Sequence, residues 1–268
     1  MRWHKVSNDR RKVIEIAVAE EGYLEKSAVA YKKNPDILYE KTDGAGSDNY
    51  TKYGKEMHDI YPDVMDFPAY WCDAFVDDQF YNAYGVCNAK KLLGGNFDDY
   101  TVNSKALYVG KNAYHTSKPQ FGDQIFFTNG TRVCHTGLVY KVDTKYVYTV
   151  EGNTSGGSSV VANGGGVALK KYLLINTRID GYGRPKYDNA LYTGTFPTIT
   201  VKSGVTNKTQ VKLLQKFLNW YGNYGLTVDG SCGSLTTEAI RHFQTYEGLT
   251  VDGSFGPESL EKAKTVKR

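Results

Sequence analysis

The chain is 268 residues long, 40% hydrophobic and 23% charged, with a formal net charge of +4. That balance excludes a disordered chain, and the length is enough for one large or two ordinary domains that bury a core without disulfide or metal staples. The small positive charge demands no nucleic-acid partner, and no stretch approaches the roughly 20 apolar residues of a membrane span.

The amino-terminal segment Met1-Arg2-Trp3-His4-Lys5 lacks the apolar core of a secretory signal. Synthesis in the cytosol without a signal peptide is therefore expected, and action outside the membrane requires separate release. A first helix is predicted from about Asn8 to Glu21, with Val13, Ile14, Ile16, Ala17 and Ala19 as its apolar stripe and Gly22 as its stop. Residues 25–53 read as a long polar loop, with turn chemistry throughout Thr42-Asp43-Gly44-Ala45-Gly46-Ser47-Asp48-Asn49. The spacing of Asp43, Asp48 and Asp59 matches no EF-hand loop, so no metal is expected there.

The stretch Pro68-Ala69-Tyr70-Trp71-Cys72 leads into a helix whose apolar face is Phe75, Val76, Phe80, Ala83 and Tyr84 and whose end is expected near Gly85. Cys72 then sits in the first helical turn, where free N–H groups and the helix dipole favour a thiolate. That placement suits a nucleophile, although a lone cysteine is more often a small core residue. Cys87, Cys134 and Cys232 complete a set with no CxxC pair and no zinc spacing, which predicts reduced thiols.

Strands are predicted at residues 122–127, 133–140, 145–151 and 167–175, with a Gly- and Ser-rich stretch at 152–166. Helices first and an antiparallel sheet afterwards make an α+β arrangement. Most of the 22 tyrosines fit half-buried strand positions, and others suit surfaces that stack on sugars or peptides.

Gly, Pro, Asn and Thr dominate from about Tyr182 to Lys208, which places a domain boundary near Phe196 and divides the chain into 1–195 and 196–268. Beyond it, Gly225-Leu226-Thr227-Val228-Asp229-Gly230-Ser231-Cys232-Gly233 returns as Gly248-Leu249-Thr250-Val251-Asp252-Gly253-Ser254-Phe255-Gly256. Each copy is a turn before a helix, at about Ser234 and Pro257. A longer helix carrying Val211, Leu214, Phe217, Leu218 and Tyr221 comes first, so the segment is a small three-helix module.

A cysteine hydrolase needs an imidazole and a polar group to orient it. Of the five histidines, His135 alone falls in a strand after the Cys72 helix; His4, His58 and His115 fall in an end or polar loops, and His242 in the other module. Alternation turns Cys134 away from the face His135 uses, making Cys134 a core residue. It also puts Glu151 and Asn153 on one face, where either could hold the second ring nitrogen of the imidazole.

Trp71-Cys72, Gly122-Asp123, His135-Thr136-Gly137-Leu138-Val139, Glu151-Gly152-Asn153 and the loop Asp48-Asn49-Tyr50-Thr51-Lys52-Tyr53-Gly54 resemble the CHAP domain. CHAP domains are papain-like cysteine, histidine-dependent amidases and peptidases of phage and prophage lysins. The carboxy-terminal Asp-Gly repeats resemble a peptidoglycan-binding domain. The resemblance implies Cys72 as nucleophile, His135 as general base and then acid, Glu151 as orienting group and Asn153 as supporting polar group. The Cys72 N–H supplies part of the oxyanion hole, with Tyr50 as the candidate side chain completing it. No cofactor is implied. The implied function is an endolysin-type peptidoglycan hydrolase, with N-acetylmuramoyl-L-alanine amidase preferred over peptide endopeptidase and a holin as the means of release. An inactive wall-binding protein is the alternative of another class.

Overall fold

The computed structural model describes residues 10–157, 159–187, 191–222 and 224–266, divided after Tyr187 into two units. In the first unit, α1 (Arg10–Ala19) buries Val13, Ile14 and Ala17; the expected start at Asn8, like His4, lies outside the described residues. The supposed loop at 25–53 contains structure of its own. It holds α2 (Ala28–Lys33), a 3-10 turn (Pro35–Tyr39) and the start of α3 (Lys52–Ile60). The polar residues that read as loop are helix caps: Ser27, Asn34 and Thr51 accept the N–H groups of Ala30, Asp36 and Gly54. Asp48 likewise accepts the Ala28 N–H, and Asp59 pairs with Lys55.

Helix α4 (Cys72–Leu92) begins at the expected cysteine and runs past the expected stop. Gly85 takes φ 72° and ψ 164°, a conformation open to glycine, so the chain kinks there and resumes its helix. Next come α5 (Thr101–Gly110) and a six-stranded antiparallel sheet: β1 (Tyr114–His115), β2 (Gln124–Thr128), β3 (Val133–Val142), β4 (Tyr146–Thr154), β5 (Gly166–Leu173) and β6 (Ile179–Gly183). The spatial order is β1-β6-β2-β3-β4-β5. Thus the histidines expected in polar loops lie in regular elements, His58 in α3 and His115 in β1. β6, whose end was read as part of the linker, occupies an inner position, held by Arg184 pairing with Asp123 at 2.8 Å.

The sheet is buried on both faces. Phe126, Leu138 and Val150 share a core with Phe75, Val76 and Phe80 of α4, while Ile125, Phe127, Val139, Val147, Tyr172 and Tyr182 cluster separately. The two periodicities of the sequence, near 3.6 in α4 and 2 in the strands, are the two sides of this helix-on-sheet contact.

The second unit contains α6 (Lys208–Gly222), α7 (Ser234–Tyr246) and α8 (Pro257–Ala263) around Val211, Leu214, Phe217, Leu218, Ile240 and Phe243. Tyr192 and Phe196 pack their rings 5.4 and 5.2 Å from that of Phe217. Tyr192, on the 1–195 side of the expected boundary, and Phe196, at the boundary, therefore share this unit's aromatic core. Each Asp-Gly repeat is completed by a buried glutamine. Gln215 donates to Asp229 and the Ser231 carbonyl and accepts the Gly230 N–H; Gln244 does the same for Asp252, Ser254 and Gly253.

Candidate active site

Three local facts assemble the site. The β3–β4 ladder runs from the hairpin end only as far as Leu138 opposite Val150. Beyond that pair the strands part, with β3 continuing against β2 and β4 against β5. The start of α4 packs where they part, with Gly152 close against the Phe75 and Trp71 rings. Val139 gives its N–H to Asp123 on the β2 side, so alternation aims the Leu138 and Thr136 N–H groups toward β4. Among the described residues no strand carbonyl takes the Thr136 N–H, and the N–H groups of Thr136 and Asp73 both favour the charged form of the Cys72 thiol. The residue that follows His135 therefore acts on the sulfur.

His135 is fully buried, lies opposite Phe127 in the ladder and has its ring 5.8 Å from that of Phe127. Its Nε2 is 2.9 Å from Glu151 Oε2. Glu151 also accepts the Tyr172 hydroxyl at 3.2 Å and the Thr149 hydroxyl at 2.5 Å. A group surrounded by donors is a carboxylate, so Nε2 carries the hydrogen and Nδ1 keeps its lone pair in the neutral ring. Nδ1 is buried without any hydrogen-bond partner among the described residues, the Cys72 sulfur included. Room for this pair depends on Gly137: a Cβ there would fall 2.5 Å from Glu151 Cγ and 2.7 Å from the Val150 carbonyl.

The thiol differs from the expectation of an anion stabilised by its helix. Burial raises the Cys72 pKa, the neighbouring Asp73 carboxylate raises it further, and the N–H groups of Thr136 and Asp73 act in the opposite direction. Burial also moves Asp73 up to about 7, against the hydrogen bonds from Ser104 and Gln124. Cys134 is half-buried and not the core residue expected, lying where the β2–β3 register shifts; it too opposes ionisation of Cys72.

Among the described residues, neither of the other two candidates hydrogen-bonds the imidazole. Asn153 is buried in β4 with φ 53°, and the β4–β5 register shifts between Glu151 and Thr154, so the alternation that put Asn153 beside Glu151 lapses. Its Oδ1 accepts the Gly165 N–H at 3.4 Å, and its Nδ2 has no partner among the described residues. Tyr50 is half-buried, stacked on Tyr31 at 4.7 Å with its ring 5.4 Å from that of Phe67, ahead of the turn into Trp71.

Sequence reasoning missed the residues that support these groups. Glu25 accepts the Trp71 indole N–H at 2.8 Å, and Lys170 donates to Thr154, Ser155 and Ser159 in the loop after Asn153. An acidic residue directly after Cys72 on a buried helix was the one available signal for Asp73.

A family model for the CHAP domain matches residues 64–153. The chain carries a CHAP domain. The match spans Cys72, His135, Glu151 and Asn153, and Tyr50 lies before it. A second family model, for a peptidoglycan binding domain, matches residues 207–262 in the three-helix unit. No curated protein and no solved structure matches the chain. CHAP and peptidoglycan-binding domains in one chain support a cell-wall hydrolase with peptidoglycan as its partner.

Proposed function

We propose that the chain is an endolysin-type N-acetylmuramoyl-L-alanine amidase in which Cys72, His135 and Glu151 act together. The observation that carries the reading is a buried imidazole whose Nε2 is held by Glu151 and whose Nδ1 has no hydrogen-bond partner among the described residues, in a strand whose Thr136 N–H acts on the Cys72 thiol. His135 Nδ1 takes the thiol proton as sulfur attacks the amide carbonyl, so a buried thiol need not ionise before substrate arrives. Collapse of the tetrahedral intermediate breaks the C–N bond, and the imidazolium returns the proton to the leaving amine. Water, deprotonated by the same nitrogen, then hydrolyses the thioester.

The Cys72 N–H, in the first helical turn, is one donor to the oxyanion, and the Tyr50 hydroxyl is the proposed second. Tyr50→Phe keeps the ring packing on Tyr31 and Phe67; it should lower wall clearing about 10²-fold and leave the melting temperature unchanged. Clearing at the wild-type rate would remove Tyr50 from the mechanism. Asn153 Nδ2, a buried donor without a partner, is the proposed contact for a substrate carbonyl.

Zymograms on cell walls with the wild type, Cys72→Ala and His135→Ala test the assignment, and equal clearing by all three refutes it. Mass spectrometry of the digest reads the bond: new free lactyl groups mean amidase, and new free peptide amines mean endopeptidase. We place its action in phage or prophage lysis, with passage to the wall provided by a separate holin.

A further inference from the structure

Asp73, Gln124 and Thr136 are all buried where α4 meets the sheet, amid apolar packing. Polar side chains in such a place are costly unless they satisfy one another. Here they do so in a chain of bonds. Gln124 Nε2 donates to Asp73 Oδ1 and to Thr136 Oγ1, each at 3.1 Å. Ser104 donates to Asp73 Oδ2 at 2.6 Å, and the Thr136 hydroxyl passes its own proton to the Ile125 carbonyl at 2.7 Å. The ends of this chain are the residues that follow Cys72 and His135. The Thr136 N–H also favours the charged form of the Cys72 thiol, so the chain of bonds runs beside the nucleophile.

We propose that Asp73, Gln124 and Thr136 form a positioning strap that holds the start of α4 at a fixed rotation and height on β3, and so aims the Cys72 thiol at the histidine strand. The inference rests on the cysteine–histidine reading above. Apolar packing of Phe75, Val76 and Phe80 presses the helix onto the sheet, but that force has no direction and tolerates sliding. Hydrogen bonds are directional, and the strap ties down the one turn where an error of about 1 Å is expensive to the reaction. Gln124 Oε1 has no partner, so the side chain serves the strap through its NH2 alone. None of the three touches the reacting atoms through its side chain; they are positioning residues.

The test compares Thr136→Val, Thr136→Ser and Gln124→Leu in the full chain with the wild type and His135→Ala. The readouts are the rate at which iodoacetamide alkylates Cys72, followed by peptide mass, and the clearing of cell walls. Melting temperatures accompany both. Thr136→Val and Gln124→Leu should lose the help of His135 and fall about tenfold or more in alkylation, to the level of His135→Ala. Clearing should fall about 10²-fold. Thr136→Ser keeps the hydroxyl and should stay within about threefold of the wild type, which loss of packing alone does not predict. Wild-type alkylation in a folded Thr136→Val, or equal losses in Thr136→Ser and Thr136→Val, overturns the strap. Should Gln124→Leu not fold, the Ser and Val pair still decides. Wild-type alkylation in His135→Ala would sink the cysteine–histidine reading, and the strap with it.

Discussion

Substituting Gly137 by alanine tests the geometry of the site without touching a chemical group. The added Cβ would stand 2.5 Å from Glu151 Cγ and 2.7 Å from the Val150 carbonyl, where ordinary van der Waals contact begins at 3.4 Å. Val150 is pinned in the ladder opposite Leu138 on one side and Leu169 on the other, so the carbonyl cannot retreat. Glu151 must therefore move by about 1 Å, enough to break its 2.9 Å bond to His135 and disturb those from Thr149 and Tyr172. Overpacking of this kind costs roughly 1–3 kcal/mol, which for a unit of this size lowers the melting temperature by a few degrees, at about 2–4 °C per kcal/mol. Activity should suffer more than stability, because an imidazole released from its orienting carboxylate loses both tautomer and aim. A fall of about 10²-fold in wall clearing is expected at a temperature where the variant is fully folded. Turbidity loss of a cell-wall suspension and a calorimetric melt on the same sample measure the two effects. If the variant melts and clears as the wild type does, Gly137 is not making room for Glu151 and the pairing of Glu151 with His135 is not what the reaction uses.

The remaining predictions concern charge and the small domain. Burial raises the Asp73 pKa from 3.8 to about 7, so the folded chain holds a proton there that the unfolded chain releases; stability falls as pH rises from about 4 to 7, and the penalty is complete above that. In Asp73→Asn that slope disappears, so the melting temperature of the variant relative to wild type should climb across this window, and parallel curves would refute the shift. Asp77 and Asp78, pushed up mainly by burial, act in the same direction and leave wild-type stability declining toward alkaline pH. In the second unit, Gln215→Leu strands the buried Gly230 N–H and Gln244→Leu the Gly253 N–H, while the Ser231 and Ser254 carbonyls keep Thr236 and the Gly256 N–H as donors; each substitution should cost about 1–3 kcal/mol. Faster amide exchange across residues 208–263 measures that loss, and unchanged exchange would reduce the glutamines to filler.

What the sequence made legible was chemistry joined to strong periodicity. Cys72 at the start of an apolar-faced helix, His135 in an alternating strand and Glu151 at the end of the next lie where their patterns put them, because each period is tied to one buried face. Short elements were opaque for physical reasons. α2 and α3 are announced by Ser27 and Thr51, which serve turns as readily as caps, and neither the Tyr100 that precedes α5 nor its neighbours offer a side-chain cap. β6 has two glycines in five residues and reads as a loop; Gly183 is there because the Tyr108 ring lies against it, a contact visible only in three dimensions. The alternation argument also failed at Asn153, where a single residue of positive φ ends the pleat on which it depended.

The sharpest correction concerns the charge of the nucleophile, and it changes how the proposed reaction runs. A helix start supplies N–H groups, and that of Asp73, together with the Thr136 N–H from β3, favours the thiolate. Those dipoles act against complete burial and an adjacent carboxylate, and burial is the largest of the influences on the thiol. A thiol at rest needs a base ready at the moment of attack, not a permanent ion-pair partner. The carboxylate of Glu151, saturated by His135, Tyr172 and Thr149, meets that need by fixing hydrogen on Nε2 and leaving the Nδ1 lone pair open. Asp73 raises the thiol and at the same time anchors the strap, so the helix start trades ease of ionisation for accuracy of placement. That trade suits an enzyme whose substrate is a large, slow wall polymer, because a neutral buried sulfur is a poor target for stray electrophiles and oxidants between encounters.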